Sequence, residues 1–494
     1  MLTKIFNIQN RFLSSKSQTD KKKLGQFFTG PEVSEFMASL IDLDITARAS
    51  VRILDAGAGM GILSAAASLE CLRKGVRQVH VEAFELDTEA IEYLKVTYEL
   101  LEDFFLSQDA TFTYRIHNLD FVLNPPYQIG VEENFDLSVI NPPYFKYNTK
   151  DSPYCKATLT LYKGNPNIYA SFMAICLKSL KPNGQLIVIV PRSFTNGLYF
   201  KYFRNYMLNN SSIELIHIFA KRNKVFKNDE VLQENIICSL IKKKQSPTIV
   251  ISSSSSIADI EESSKNIYSK NLIIDSSNEQ KLIRIPESKE QFDILELAEK
   301  LPTTFGEAGY FISTGPVVEF RTREFHTTEL NSAVPVIRPH NFSDSKIIWD
   351  GKHKKDIAFQ LKGEFKSHLV ESRTYIILKR ITSKDENKRL VANIYLPSKH
   401  QSIGISNKLN YLGLKNEEFS IEEATGLSSF LNSTFMDNYF RSISGNTQVN
   451  SNEVRVLKFP ERKTIKLLGE KILKSNSNSQ KIIDKLVLDI INSN

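Results

Sequence analysis

Val51-Arg-Ile-Leu-Asp-Ala-Gly-Ala-Gly-Met-Gly61 is the stretch on which the fold turns. Val51 to Leu54 reads as a buried strand, and glycines 57, 59 and 61 as a turn that lets backbone pass close to a ligand. Ile62 to Arg73 follows as an alanine-rich helix. Strand, glycine turn and helix open a parallel sheet covered by helices, and the segments beyond keep the alternation. Gln78 to Phe84 is a second strand, Thr88 to Leu101 a helix, and Thr111 to His117 and Phe135 to Ile140 are the third and fourth strands. Asn167 to Leu180 is read as helix, Gly184 to Val190 as a central strand, Leu198 to Leu208 as helix, and Glu234 to Ile241 as a further apolar strand.

The chain has 494 residues, too many for one ordinary core at roughly 100–200 residues per domain. Composition shifts at the serine run Ser252 to Ser256, and Ser263 to Gln280 stays rich in Ser, Asn and Lys. Such a stretch suits a solvated connector or a variable surface strand pair. The expected division is therefore 1–245 with a basic N-terminal arm at 1–23, a connector at 246–290, and a second domain at 291–494. In the second domain Tyr375 to Arg380 and Leu390 to Leu396 read as short strands. A capping box, Ser420-Ile-Glu-Glu423, starts a helix toward Phe430, and Ile482 to Ile491 is amphipathic.

Hydrophobic content of 41% and charged content of 24% exclude wholesale disorder. No run approaches the roughly 18 apolar residues of a membrane span, so no membrane partner is expected. The net charge of +7, shared by both halves, permits a polyanionic partner without demanding one. Cys71, Cys155, Cys176 and Cys238 are scattered with no Cys-x-x-Cys pair, which fits reduced thiols in a cytoplasm. The histidines show no ligand spacing, so no metal site is expected.

Asp55 before the glycine turn and Glu85, followed by Leu86, at the end of the second strand form a nucleotide-site constellation with Gly57 and Gly59. A carboxylate at Glu85 can take both ribose hydroxyls. NAD would share that feature, but Asp55 would repel a pyrophosphate and suit the amino group of an amino-acid moiety, as in S-adenosylmethionine. Asp120 can accept from the cofactor's exocyclic adenine amine, with Phe121 against the ring.

Asn141-Pro-Pro-Tyr144 directly follows the fourth strand, where open α/β sheets keep their chemistry. Pro142 and Pro143 lock the backbone and leave carbonyls free, a rigid set of acceptors for an amino group on an aromatic ring. Accepting its hydrogens through the Asn141 side-chain oxygen and the Pro142 carbonyl frees the nitrogen lone pair for attack, and Tyr144 would stack on the base. A second copy, Asn124 to Tyr127, is separated from Asp120 by three residues, too few for an intervening helix, and is read as a rigid turn, with a lip contacting substrate as the alternative.

Lys23-Leu-Gly-Gln-Phe-Phe-Thr-Gly30, Asp55-Ala-Gly-Ala-Gly-Met-Gly61, Glu85, Asp120 and Asn141-Pro-Pro-Tyr144, in that order, resemble the gamma-class N6-adenine DNA methyltransferases of restriction-modification systems. The resemblance covers residues 20–244. It implies an α/β fold: a Rossmann-like S-adenosylmethionine-dependent methyltransferase domain with a mixed, mostly parallel sheet, plus a C-terminal α+β target-recognition domain. It also implies that Phe28 and Thr29 close over the methionine end of S-adenosylmethionine. Gly30 stands where the family usually has a proline. An aromatic residue late in the domain, Phe226 or alternatively Phe219, would sandwich a flipped adenine.

The implied partner is double-stranded DNA, with a separate cognate restriction endonuclease acting on the same sites, and the chain is expected to be a monomer. RNA or glutamine methylation by the same tetrapeptide, or a fused restriction-methylation enzyme, are the alternatives. Residues 291–494 would grip DNA. Arg321, Arg338, Lys379, Arg380 and Arg389 are candidates for phosphates, and Asn446 and Gln448 for adenine edges.

Overall fold

Nine strands of the first unit share one sheet among the described residues: β1 (Ser50–Ala56), β2 (Gln78–Phe84), β3 (Thr111–His117), β4 (Phe135–Ile140), β5 (Leu180–Pro191), β6 (Ser212–Phe219), β7 (Asn235–Ile241), β8 (Thr248–Ser254) and β9 (Ser264–Ser269). The computed structural model describes residues 1–15, 29–131, 134–147, 152–164, 167–219, 234–275, 279–327, 333–344, 346–360, 365–382, 386–444, 448–475 and 479–492. Strand order is β3-β2-β1-β4-β5-β7-β6-β8-β9. The first five strands are parallel and β7 runs antiparallel to both β5 and β6. Chain order reverses between β1 and β4, which leaves a crevice at their carboxyl ends.

Burial explains why these segments were easy to read. Every residue of β4 and of β7 is buried, so both are continuous apolar runs with few interruptions. The helix Ile62–Arg73 packs Ala65, Ala66 and Ala67 against the sheet. Its Gly61 has φ +80°, and a Cβ there would press on Leu94 and Tyr98 of the helix Thr88–Leu106. Leu198 to Leu208 was read as one helix; it is a 3-10 turn, Leu198–Phe200, running into an α-helix, Lys201–Asn210.

Two expectations need correction. The chain divides between Ile283 and Arg284, so most of the expected connector belongs to the first unit. Its serine run begins on β8, where Ser252 and Ser254 bond the two ring nitrogens of buried His217 at 2.8 and 3.2 Å. The basic arm is also built differently at its start: Leu2–Ser15 is a helix whose Leu2 and Ile5 join the core.

The second unit, Arg284–Asn494, carries a six-stranded and a five-stranded sheet among its described residues. Tyr310–Thr314, Leu409–Leu414, Tyr375–Lys379 and Ala392–Tyr395 are successive antiparallel neighbours in the larger one. Ser420 caps the helix Ile421–Leu431 as anticipated, accepting from the Glu423 amide. That helix meets Arg462–Ser475 at Gly426 and Gly469, where a Cβ on either would strike the other's backbone carbonyls.

Candidate active site

A cavity of about 310 Å³ opens at the crevice. Thr29, Asp55, Gly57, Gly59, Glu85, Leu86, Asp120, Phe121, Asn141 and Pro143 all line it, so ten residues chosen from sequence converge on one space. Gly59 has φ +54° and open space where a Cβ would stand, which suits a backbone passing close to a ligand. Pro142 and Tyr144 do not line the cavity; Pro142 is buried. Phe28 and Phe226 lie outside the described residues. Phe219, the alternative to Phe226, is a core residue at 2% exposure and has no free ring face to offer a base.

The cavity contains two buried carboxyls. Burial, together with the nearby charge of Glu85, pushes Asp55 up to about 7, against the hydrogen bonds from Ser64 and Tyr98. Glu85 is also raised by burial, and is partly relieved by backbone amides: Oε2 accepts from Gly59 at 2.7 Å, and Oε1 from Leu86 and Asp87 at 2.9 and 2.8 Å. Two desolvated carboxyls in one apolar-walled cavity favour a cationic ligand. S-adenosylmethionine, with an ammonium and a sulfonium, fits that donor set, whereas a pyrophosphate does not.

Asp120, on another part of the cavity wall, is already engaged. Its Oδ1 takes the amides of Val122 and Leu123, and its Oδ2 accepts the Tyr154 hydroxyl at 2.8 Å. Phe121 meets Phe84 and Phe172 at 5.2 and 5.1 Å between ring centroids, which makes an aromatic wall. Behind it, Glu82 holds His117 and His80 at 2.6 and 3.1 Å, and these contacts carry its carboxyl down to about 2 despite burial.

Asn141 is fixed from both ends of its amide. Nδ2 donates to Thr29 Oγ1 at 3.0 Å, and Oδ1 accepts the Tyr144 hydroxyl at 2.7 Å, a hydrogen shared with the Ile189 carbonyl at 3.0 Å. Burial holds the Tyr144 hydroxyl well above its usual pKa, so it stays a neutral donor. An amide oxygen has two lone pairs, so it can accept from more than one donor. Sequence reading missed Gln9, Phe145, Tyr154 and Phe172 on the cavity wall. Gln9 had a legible signal, since Leu2, Ile5 and Gln9 fall on one helical face, and its Nε2 reaches the Thr29 carbonyl at 3.3 Å.

In the second unit the candidates divide. Arg338 pairs with Glu319 at 2.7 Å, and Glu319 also accepts from Ser406 at 3.0 Å and approaches Lys408 at 3.5 Å. Arg380 donates to the Asn407 carbonyl at 2.9 Å and to Gln448 at 3.1 Å. Arg338, Arg380 and Gln448 therefore share one polar network around the turn at 406–408. Arg321 is exposed two residues beyond Glu319, and Lys379 sits over the Phe342 ring at 5.2 Å. Arg389 is a correction: it is fully buried, with Nε on Thr382 Oγ1 and Nη1 on the Ser444 carbonyl, and cannot meet a phosphate. Asn446 lies outside the described residues.

His340, His353 and Asp356 gather within 4.8 Å, a group the sequence spacing did not suggest. Hydrogen bonds account for it. His353 Nδ1 accepts the Lys355 amide, and Asp356 takes His340, Asn341 and the His353 amide.

The Eco57I restriction-modification methylase family matches residues 63–226, from the helix after the glycine turn to beyond β6. Type II methyltransferase M.PstI of Providencia stuartii is 32% identical over 467 residues, covering 93% of this chain and 91% of that protein. The chain belongs to the Eco57I restriction-modification methylase family. M.BsuBI of Bacillus subtilis, a second type II methyltransferase, is 33% identical over 93% of this chain and 92% of its own. Among solved structures, the type IIL restriction-modification enzyme MmeI in complex with DNA shares the fold at a TM-score of 0.54 and 12% identity, covering all of this chain and 72% of that one. This methylase is thus a methyltransferase, and S-adenosylmethionine is its cofactor.

Proposed function

We propose that this methylase transfers a methyl group to the N6 amino nitrogen of an adenine flipped out of double-stranded DNA, at a specific sequence, and so shields host DNA in the cytoplasm from a separate cognate endonuclease. The observation that carries this reading is Asn141, clamped between Thr29 and Tyr144 at the cavity wall that also holds Asp55 and Glu85.

Bound S-adenosylmethionine supplies an electrophilic methyl on sulfur. Asp55 would hold its ammonium, Glu85 its ribose hydroxyls, and Asp120 with Phe121 its adenine. Asn141 Oδ1 and the Pro142 carbonyl accept the two amino hydrogens of the target, which localises the nitrogen lone pair toward the methyl. The Thr29 and Tyr144 bonds hold the acceptor at one orientation, so positioning supplies most of the acceleration. Phe226, and Tyr144 by its ring, would stack on the extruded base.

The second unit, as 284–494, would grip the duplex, with Arg321, Arg338, Lys379 and Arg380 toward phosphates and Gln448, with Asn446, toward bases. MmeI, which shares the fold, was solved on DNA, and that supports the same class of partner here. The near full-length match to two type II methyltransferases supports a stand-alone methylase.

The test supplies purified protein and labelled S-adenosylmethionine with duplex DNA, RNA and protein extracts, followed by nucleoside mass spectrometry. N6-methyladenine in duplex DNA is expected. Label in RNA or in glutamine side chains, with DNA unlabelled, refutes the reading.

A further inference from the structure

A ladder of rings leads away from the catalytic tetrapeptide. Tyr144 meets Tyr169 edge-on at 6.2 Å, Tyr169 stacks on Phe200 at 5.6 Å, and Phe200 meets Tyr199 at 4.9 Å. The ladder ends in the open: Tyr199 is 47% exposed, and Leu198 and Tyr202 beside it are 47% and 52% exposed. Lys146, two residues after Tyr144, holds its ammonium over the Tyr199 ring at 5.6 Å, and no carboxylate among the described residues pairs with it. Adjacent exposed apolar side chains on a soluble protein mark a contact surface more often than isolated ones do.

Both sides of this ledge are fixed. Arg204, fully buried, donates to the carbonyls of Phe194, Asn196, Gly197 and Gln280 at 2.7 to 2.9 Å. A guanidinium removed from water needs such compensation, and here it pins the turn that presents Leu198 and Tyr199. On the other side Lys146 bridges Asn167, and the Phe145 carbonyl accepts the Ile168 amide at 2.9 Å. The rings are therefore presented on pre-set backbone, which lowers the entropy lost on binding.

We infer that Tyr199 and Lys146 form a docking ledge for the DNA strand that carries the target adenine, with Tyr199 stacking on a base beside the flipped nucleotide and Lys146 meeting its phosphate. This rests on the reading of the protein as a DNA adenine methyltransferase. Extruding one nucleotide unstacks its neighbours, and an aromatic face beside the catalytic tetrapeptide can replace part of that stacking. The Lys146 ammonium, 5.6 Å from the centre of the Tyr199 ring, suits a phosphate one nucleotide away. Neither residue touches the cavity that takes the cofactor.

The experiment measures methyl transfer to a duplex substrate by the full chain carrying Tyr199→Ala, Tyr199→Phe or Lys146→Ala. Tyr199→Ala should raise KM for DNA roughly tenfold while kcat at saturating DNA and the Kd for S-adenosylmethionine stay within about twofold, and Tyr199→Phe should restore KM. Lys146→Ala should flatten the salt dependence of DNA binding by about one ion. An unchanged KM in Tyr199→Ala overturns the inference, and so does a joint fall in kcat, cofactor affinity and Tm, which would mark a structural role. Wild-type protein that leaves DNA unmethylated while labelling RNA or protein defeats the underlying reading instead, and is seen before any variant is made.

Discussion

Asn124-Pro-Pro-Tyr127 and Asn141-Pro-Pro-Tyr144 are the same four residues in two settings. The second copy leaves the wholly buried β4 and projects Asn141 into the cavity wall, braced by Thr29 and Tyr144. The first copy is tied into the local turn instead. Both the backbone amide and Nδ2 of Asn124 go to the Asp120 carbonyl, Pro126–Gln128 closes a 3-10 turn, and the Tyr127 ring lies beneath the Lys178 ammonium at 3.4 Å. None of its residues lines the cavity. Two prolines make either copy stiff, but stiffness becomes chemistry only where the acceptors face a bound substrate.

The contrast can be broken most sharply at the two asparagines. Asn141→Ala should lower kcat on the order of 10³-fold, with cofactor Kd little changed, whereas Asn124→Ala should cost less than about threefold. Steady-state kinetics on one duplex substrate compares them directly.

A second effect follows from Asp55, which faces the cavity beside the second copy. Burial pushes its carboxyl up to about 7, and in the proposed role it would have to be ionised to take the cofactor's ammonium. Cofactor affinity should therefore rise as pH climbs toward 7 and level off above it, while Asp55→Asn binds weakly with a flat profile; calorimetry across pH reads both. The same shift has an opposite sign for folding. Because the folded state keeps a proton that the unfolded chain gives up from its ordinary value of 3.8, the contribution of Asp55 to stability falls as pH rises from about 4 to 7. In Asp55→Asn that part of the Tm profile should vanish.

Smaller still, Tyr144→Phe removes the hydroxyl that orients Asn141 but keeps the ring. A loss of about fivefold in kcat is expected, the worth of one hydrogen bond, against no change for Tyr127→Phe. Finally, Lys178→Ala should cost about 0.5–1 kcal/mol in urea unfolding through its contact with Tyr127, without altering kcat.

Much of the first unit was legible because buried parallel strands are apolar throughout and end at a recognisable glycine turn. β8 and β9 form the strand pair that the serine-rich stretch allowed, but nothing in a serine run shows that two of its hydroxyls serve His217 inside the sheet. At the site, Asp55, Glu85 and Asn141 stood at strand ends in local motifs. Tyr154 and Phe172 reach the same cavity from separate helices with no motif of their own, so only the folded chain brings them there. Arg389 failed in the reverse sense: a basic cluster implied surface, but the Ser444 carbonyl and Thr382 hydroxyl solvate its guanidinium indoors.

The most direct test of the account is modification-sensitive sequencing of DNA from cells that express the wild-type chain, Asn124→Ala or Asn141→Ala. N6-methyladenine at one recurring sequence is predicted for the first two, and none for Asn141→Ala. Marks that persist in Asn141→Ala and disappear in Asn124→Ala, or that fall on cytosine, would contradict it.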